Sequence, residues 1–401
     1  MLDAYIYDGL RTPFGRHAGA LAPARPDDMV GDLIAKLLAR SPFEGGDVED
    51  VVLGCTNQAG EDSRNVARHA ALIAGLPIEV PGLTVNRLCA SGLAAVMDAA
   101  RAASSNQGEL FIAGGVESMS RAPFVMAKAE SAYSRDIRVY DSTIGARFPN
   151  PRVVQRYGGH TMPETADNIA HDLGIGREES DGFALASQQK YARAKADGFY
   201  DDEIAPVDVP GRRRGELARV AEDEHPRPDT TPDRLAKLKP LFDGGVVTAG
   251  NASGVNDGAV ALVLGTREAG ERAGAKPLAR ILAGAVAGVE PRVMGLGPVP
   301  ASRKALGRVG LDVGDMDVIE INEAFATQVL GCLKLMGLSP DDGRVNPNGG
   351  AVAIGHPLGA SGARLALTAT RQLHRANGRY ALVTMCIGVG QGMAAVIERV
   401  P

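Results

Sequence analysis

Short apolar runs alternate along this chain with stretches whose apolar residues recur every three or four positions. Val51-Val52-Leu53-Gly54, Leu110-Phe111-Ile112-Ala113-Gly114 and Ala381-Leu382-Val383-Thr384-Met385 predict buried strands, as does Val318–Ile321. Helical spacing over residues 93–103 and 364–373 predicts helices, and residues 1–7 open the chain as a strand. Alternation of this kind predicts an α/β architecture with helices covering a sheet.

The pattern also repeats. Gly46-Asp47-Val48-Glu49-Asp50-Val51-Val52 is echoed by Gly314-Asp315-Met316-Asp317-Val318-Ile319, and Cys89-Ala90-Ser91-Gly92 by Gly359-Ala360-Ser361-Gly362, at nearly the same offset. An internal duplication accounts for both. In the second copy Gly359 stands where the first has Cys89. Residues 120–249 break the pattern: they are richer in charge and in turn formers, and read as an insertion after a strand of the first half. Insertions so placed commonly supply lids and binding loops. Within it the run Arg212-Arg213-Arg214 reads as a solvated surface stretch.

Composition narrows the choice of function. A chain of 401 residues exceeds one simple core. A net charge of −5 gives no reason to expect nucleic acid or an anionic membrane as partner. With 50 glycines and no tryptophan, tight packing and close backbone approach are expected. The cysteines are Cys55, Cys89, Cys332 and Cys386, too few for a disulfide framework and without C-x-x-C spacing, so neither a secreted scaffold nor a zinc site is expected. No leader, membrane span or targeting tail is recognisable, and the cytoplasm is the expected compartment.

Three positions carry candidate chemistry. Cys89 lies where a strand gives way to a helix, and a helix entrance favours a thiolate through its free N–H groups and partial positive charge. Ala90, Ser91 and Gly92 behind it are small, which would leave room for a substrate; a lone cysteine can equally be an inert small hydrophobe. His356, in Gly355-His356-Pro357-Leu358-Gly359, is held in a rigid glycine-rich turn and could take the Cys89 proton. Cys386 ends a buried strand and precedes Gly388, Gly390 and Gly392, whose N–H groups can cradle an oxyanion. A second thiol suits proton transfer to carbon or sulfur; a redox pair with Cys89 is the other reading. Asn322 follows the strand Val318–Ile321, either as a polar group at the sheet's carboxyl edge or as a helix N-cap. The segment 248–258 is, as a bare pattern, a loop.

Taken together these motifs resemble the thiolase family of acyltransferases. The resemblance rests on the Cys89 segment, Gly114-Gly115-Val116-Glu117-Ser118-Met119-Ser120, Asn251-Ala252-Ser253-Gly254, Asn322-Glu323-Ala324-Phe325, Gly355-His356-Pro357 and Cys386, in family order over essentially the whole chain. It implies a duplicated five-layered α/β/α/β/α fold. Residues 1–119 plus 250–276 would form the first half, 120–249 an inserted loop domain and 277–401 the second half. It implies Cys89 as acyl acceptor and His356 as its base, with a water held by Asn322 completing one oxyanion hole. The N–H groups of Cys89 and Gly388 would form a second hole, and Cys386 would be the acid/base. Arg227 and Ser253 would contact coenzyme A, and Met162, Met294 and Phe325 would line the pantetheine and acyl pocket. Coenzyme A is then a substrate, no metal or redox cofactor is required, and a homotetramer or dimer is expected.

One feature departs from the family pattern: Thr161, not a histidine, precedes Met162, and His160 lies one step further back. Residues 140–148, 161–166 and 385–391 look like the subgroup acting on 3-oxoadipyl-CoA in aromatic-compound breakdown, which forms succinyl-CoA and acetyl-CoA. Arg138, Arg147, Arg152 and His160 are candidates for the distal carboxylate of such a substrate. The alternative within the family is an acetoacetyl-CoA thiolase. Outside it stand a non-catalytic acyl-CoA carrier, which has no use for all four polar residues, and a cysteine hydrolase, which has none for Cys386.

Overall fold

The computed structural model describes every residue except 212 and 214, so the arginine run of 212–214 lies largely outside the described residues. In the first half the elements are β1 (Ala4–Arg11), α1 (Pro26–Ala39), β2 (Asp50–Gly54), α2 (Val66–Ile73), β3 (Gly82–Val85), α3 (Ser91–Ser104) and β4 (Leu110–Ser118). After β4 come α4 (Met162–Leu173), α5 (Arg177–Ala196) and then β5 (Asn256–Gly265). The second half holds β6 (Ala279–Gly288), α6 (Pro298–Gly307), β7 (Val318–Ile321), α7 (Ala326–Met336), α8 (Leu358–Arg375), β8 (Tyr380–Ile387) and β9 (Gln391–Arg399).

Strand pairing makes the duplication explicit. The sheet runs β7-β8-β9-β6-β1-β5-β4-β2-β3. Outward from the centre, β1–β5 and β6–β9 are antiparallel, β5–β4 and β9–β8 are antiparallel, and β4–β2 and β8–β7 are parallel. The parallel β2–β3 pair has its counterpart in a lone bridge between Ile319 and Val345. The halves are not separate sheets: β1 and β6 pair antiparallel through Ala4–Ile281, Tyr5–Arg280 and Ile6–Ala279.

The period of two along each strand sorts side chains between cores. On β8, Ala381, Val383, Met385 and Ile387 face the central core while Leu382 faces an outer one; on β9, Met393, Ala395 and Ile397 face the centre and Ala394 and Val396 the outside. Helices α3 and α8 fill the centre, α1 and α2 cover the first half's outer face, and α6 and α7 cover the second's. Because both faces are covered, the strands read as apolar runs rather than alternating ones.

The inserted stretch is more than loops. It contributes Ile169 and Phe183 to the outer core of the second half and Tyr191, Phe199 and Tyr200 to the central core. Its charge-rich helix α5 therefore carries a buried face. Among the described residues no helix is long and apolar enough to cross a membrane.

Candidate active site

The two duplicate helices α3 and α8 begin side by side, and glycine permits it. A methyl group at Gly92 would come within 2.5 Å of the Gly359 carbonyl oxygen, and one at Gly115 within 2.0 Å of the same atom. This corrects the reason expected for the small residues after Cys89. Ala90, Ser91 and Gly92 are buried, and the missing Cβ of Gly92 makes room for the neighbouring helix rather than for a substrate.

Cys89 itself is half-buried and free, immediately before the helix. The preceding residue, Leu88, has a left-handed φ of 48°, a strained conformation for a branched side chain. Ser91 holds this turn: its hydroxyl donates to Leu88 O at 2.6 Å and accepts from Arg87 N–H at 2.9 Å. The backbone N–H groups of Gly388 and of Cys89 itself act on the sulfur. Burial pushes the thiol above its ordinary value, the two N–H groups pull it down, and the Glu117 carboxylate pushes it up again. The helix entrance thus moderates a penalty that burial sets, and the thiol is held above its ordinary value, not below it as the helix end alone would hold it.

His356 is buried at the entrance of α8. Its backbone N–H donates to Asn256 Oδ1 at 2.8 Å. Its Nδ1 lies 2.6 Å from Ser361 Oγ, and the Ser361 hydroxyl donates to Pro357 O at 2.8 Å. The one hydroxyl hydrogen is therefore used, so Nδ1–H donates to Ser361 and Nε2 keeps its lone pair. Asn322 Nδ2 approaches that lone pair at 3.4 Å. Burial, then the charge of Arg364, hold the imidazole pKa down at about 3. The ring is a neutral base whose Nε2, held by a long contact from Asn322, is fixed in direction.

Asn322 is fully buried at the end of β7 and is no helix cap, since Phe325 occupies the cap of α7. Its carboxamide oxygen has no partner among the described residues, leaving an acceptor beside the histidine. Glu117 joins the entrances: its carboxylate accepts from Thr56 N–H, the Thr56 hydroxyl, Asn57 N–H and, at 2.9 Å, Gly359 N–H on α8.

Cys386, free and buried at the end of β8, packs with Met294, Ala324 and Phe325, and Met162 lies against that cluster. Burial raises its thiol well above the usual range, and Cys89, once ionised, raises it further. Past Cys386, Gly388 opens the turn to β9; a methyl group there would meet Leu88 Cδ1 at 3.4 Å and Met162 Sδ at 3.7 Å. Cys89, Gly388 and Cys386 thus come together beside the apolar wall of Met162, Met294 and Phe325, while His356 and Asn322 pair with each other at the entrance of α8.

The candidate coenzyme A contacts sit on adjoining loops. Ser253 N–H donates to Ala324 O at 2.9 Å, next to Phe325. Arg227 is exposed, with its backbone anchored to Gln188, and its neighbour His225 lies against Gly254. The four carboxylate candidates are scattered. Arg138 pairs with Asp136 in the solvent, Arg152 lies on an exposed helix, Arg147 acts electrostatically on Asp62, and His160 is exposed two residues before Met162.

Three residues of the site escaped sequence reasoning. Asn256 sat in a segment read as a bare loop, Ser361 was visible only as part of the repeat, and Glu117 only as part of a motif. The one signal that could have singled out Ser361 is that the duplication preserves a serine while it loses the cysteine.

Known proteins resemble this chain along its whole length. Residues 4–268 match the thiolase N-terminal domain and residues 275–399 the thiolase C-terminal domain. The chain is 58% identical, over 100% of both chains, to a 3-oxoadipyl-CoA/3-oxo-5,6-dehydrosuberyl-CoA thiolase of Escherichia coli. It is 55% identical, again over 100% of both, to a beta-ketoadipyl-CoA thiolase of Acinetobacter baylyi. The solved structure of human mitochondrial 3-ketoacyl-CoA thiolase in complex with CoA superposes with a TM-score of 0.91 at 38% identity, covering 100% of this chain and 98% of that one. On sequence and fold, the chain belongs to the thiolase family of acyltransferases.

Proposed function

We propose that this enzyme cleaves 3-oxoadipyl-CoA with coenzyme A to succinyl-CoA and acetyl-CoA. What supports the chemistry is the pull of the Gly388 and Cys89 N–H groups on the Cys89 sulfur, together with a neutral imidazole at His356 whose Nε2 carries a lone pair. The substrate follows from the full-length relatives at 55–58% identity and their names.

In this reading His356 Nε2 takes the Cys89 proton, and the sulfur bonds to the ketone carbon of the substrate. The alkoxide collapses, the bond between that carbon and the acetyl-CoA carbon breaks, and its electron pair leaves as an enolate. Cys386 gives its proton to that enolate, releasing acetyl-CoA and leaving a succinyl thioester on Cys89. The Cys386 thiolate then takes the proton of coenzyme A, whose sulfur attacks the thioester. Cys89 departs and recovers its proton from His356. The raised Cys386 thiol suits it to protonating carbon, because its conjugate base is costly until the enolate drives the transfer. Every charge in the cycle is supplied by thiols, an imidazole and N–H groups; coenzyme A enters only as substrate, and cofactors are not needed.

Arg227 and Ser253 are placed to meet coenzyme A at the rim. An exposed apolar arm including Phe124, Met126, Tyr133, Ile137 and Val139 supports self-association, with a homotetramer as the proposed state. The cytoplasm is the proposed compartment, supported by four free cysteines. Thiolysis of 3-oxoadipyl-CoA with mass identification of both products tests the assignment. Succinyl-CoA plus acetyl-CoA is expected; cleavage of acetoacetyl-CoA alone would shift the substrate, and coenzyme A binding without turnover would remove the activity.

A further inference from the structure

The two partners that aim the His356 ring come from different elements: Ser361 from α8 and Asn322 from the end of β7. Directly behind them lies a buried ion pair that the reaction does not use. Arg364 stands three residues past Ser361 on α8, and Glu320 two residues before Asn322 on β7. Arg364 Nη1 donates to Glu320 Oε2 at 3.0 Å, with the two side chains 1% and 0% exposed.

This pair is poorly built for stability. Arg364 Nε and Nη2 and Glu320 Oε1 have no hydrogen-bond partner among the described residues. A buried ion pair is weak evidence for stability even when satisfied, since apolar residues of the same volume often hold as well. A half-satisfied one returns less. What it does fix is the spacing of one strand end against one helix start.

We propose that the Arg364–Glu320 pair is a positioning unit for His356, locking β7 against α8 so that both hydrogen bonds to the imidazole hold at once. The inference rests on the reading of His356 as the base. Electrostatics give the pair a second effect. Arg364 opposes protonation of the ring, and the Glu320 carboxylate is the counter-charge of that guanidinium. Glu323, Glu203 and Lys190 also face Glu320, and Tyr200 faces Arg364; of the neighbouring charges only Arg364 bears on His356. Burial holds the Glu320 carboxyl up to about 7, so the pair is ionised on both sides above that pH.

The test compares Glu320→Gln, Arg364→Met, the double variant and His356→Asn. Two quantities are read: the pH profile of Cys89 alkylation by iodoacetamide, and kcat and KM for thiolysis. In E320Q the uncompensated guanidinium makes the imidazolium harder to form. The alkylation profile should move up by roughly half a pH unit, diverging from wild type above about pH 7 and rejoining it below. The double variant carries no buried charge. Its thermal midpoint should stay within a few degrees of wild type, while kcat falls roughly tenfold and KM changes less than about twofold. A double variant with wild-type kcat and profile would overturn the proposal. If R364M alone does not fold, E320Q and the double variant decide. An alkylation profile altered by H356N but not by E320Q removes this inference only; a profile indifferent to H356N removes the base assignment beneath it.

Discussion

The entrances of α3 and α8 are copies of one structural element that have been given opposite work. Each carries Ala-Ser-Gly at the same positions, yet the two serines do different things. Ser91 bonds its own backbone turn, at Leu88 O and Arg87 N–H, and so holds the strained loop that presents Cys89. Ser361 instead meets the Nδ1 of His356 and fixes the tautomer. The first entrance is half-open and strained, suited to a nucleophile that a substrate must reach. The second is sealed, its left-handed position is Gly355 at φ 107°, and its imidazole is kept neutral by burial first and by Arg364 second. Duplication thus supplied two identical mounts, and the side chains around each decided which became nucleophile and which became base.

The largest break in this comparison is at the mounts' own residues. Cys89→Ala should lower thiolysis by at least about 10⁴-fold and abolish the acyl-enzyme, seen as loss of the covalent mass increment. Cys386→Ala should keep that increment when an acyl-CoA is supplied and lose carbon–carbon cleavage; equal loss of both steps would end the division of roles. Next in size is the serine pair. Ser361→Ala frees the imidazole to turn and choose the wrong tautomer, so kcat should fall by roughly 10²-fold, less than the drop that follows loss of a charged orienting partner. Ser91→Ala leaves Arg87 N–H without its acceptor, so its main effect should be a stability loss of about 1–3 kcal/mol in denaturant unfolding. If the two variants gave the same ratio of activity loss to stability loss, the serines would not differ in role.

Much of this contrast was legible in sequence. Cys89, His356 and Cys386 announce themselves by residue type and by glycine context, and the strands by apolar runs that both covered faces require. The repeat disclosed the two mounts. What stayed hidden depends on partners chosen in three dimensions. Ser361 reads as a small helix residue until His356, five positions away, folds back onto it. Asn256 reads as loop because its use is to hold a backbone N–H 100 residues later. The Glu320–Arg364 pair is invisible because a strand glutamate and a helix arginine normally point to solvent. Helix α5 was masked by its charged face, while its buried face packs on partners far along the chain.

The entrances should also fail in opposite directions with pH. His356 and His225 are held down, to about 3 and about 4, chiefly by burial. An unfolded histidine binds its proton from about pH 6.5 downward. The folded state therefore has its full stability above that pH and loses it as pH falls toward the depressed values, by on the order of a few kcal/mol. Cys89 titrates the other way. Its raised thiol, like those of Cys55, Cys332 and Cys386, favours the folded state below the unfolded thiol value and ceases to as pH rises. Denaturant midpoints between pH 4 and 10 should describe a dome, and His356→Asn should lift its acid side only. An acid limb unchanged in that variant would mean the α8 entrance opens before it titrates.

The smallest effect sharpens the contrast most. Where the α8 entrance uses glycine for its left-handed residue, the turn that supplies Gly388 to Cys89 uses Val389, at φ 65° with 61% of its surface exposed. A β-branched residue there costs roughly 1–2 kcal/mol of strain, and little packing offsets it. Val389→Gly should therefore raise stability by up to about 1 kcal/mol, the rest being lost to the freer unfolded chain. If the strained residue serves to hold Gly388 N–H against the sulfur, the same change should lower kcat a few-fold while leaving KM nearly constant, because a looser donor costs the oxyanion more than the bound thioester. A variant both more stable and fully active would show the strain to be idle and would leave Leu88 as the only left-handed non-glycine residue with work to do at the nucleophile.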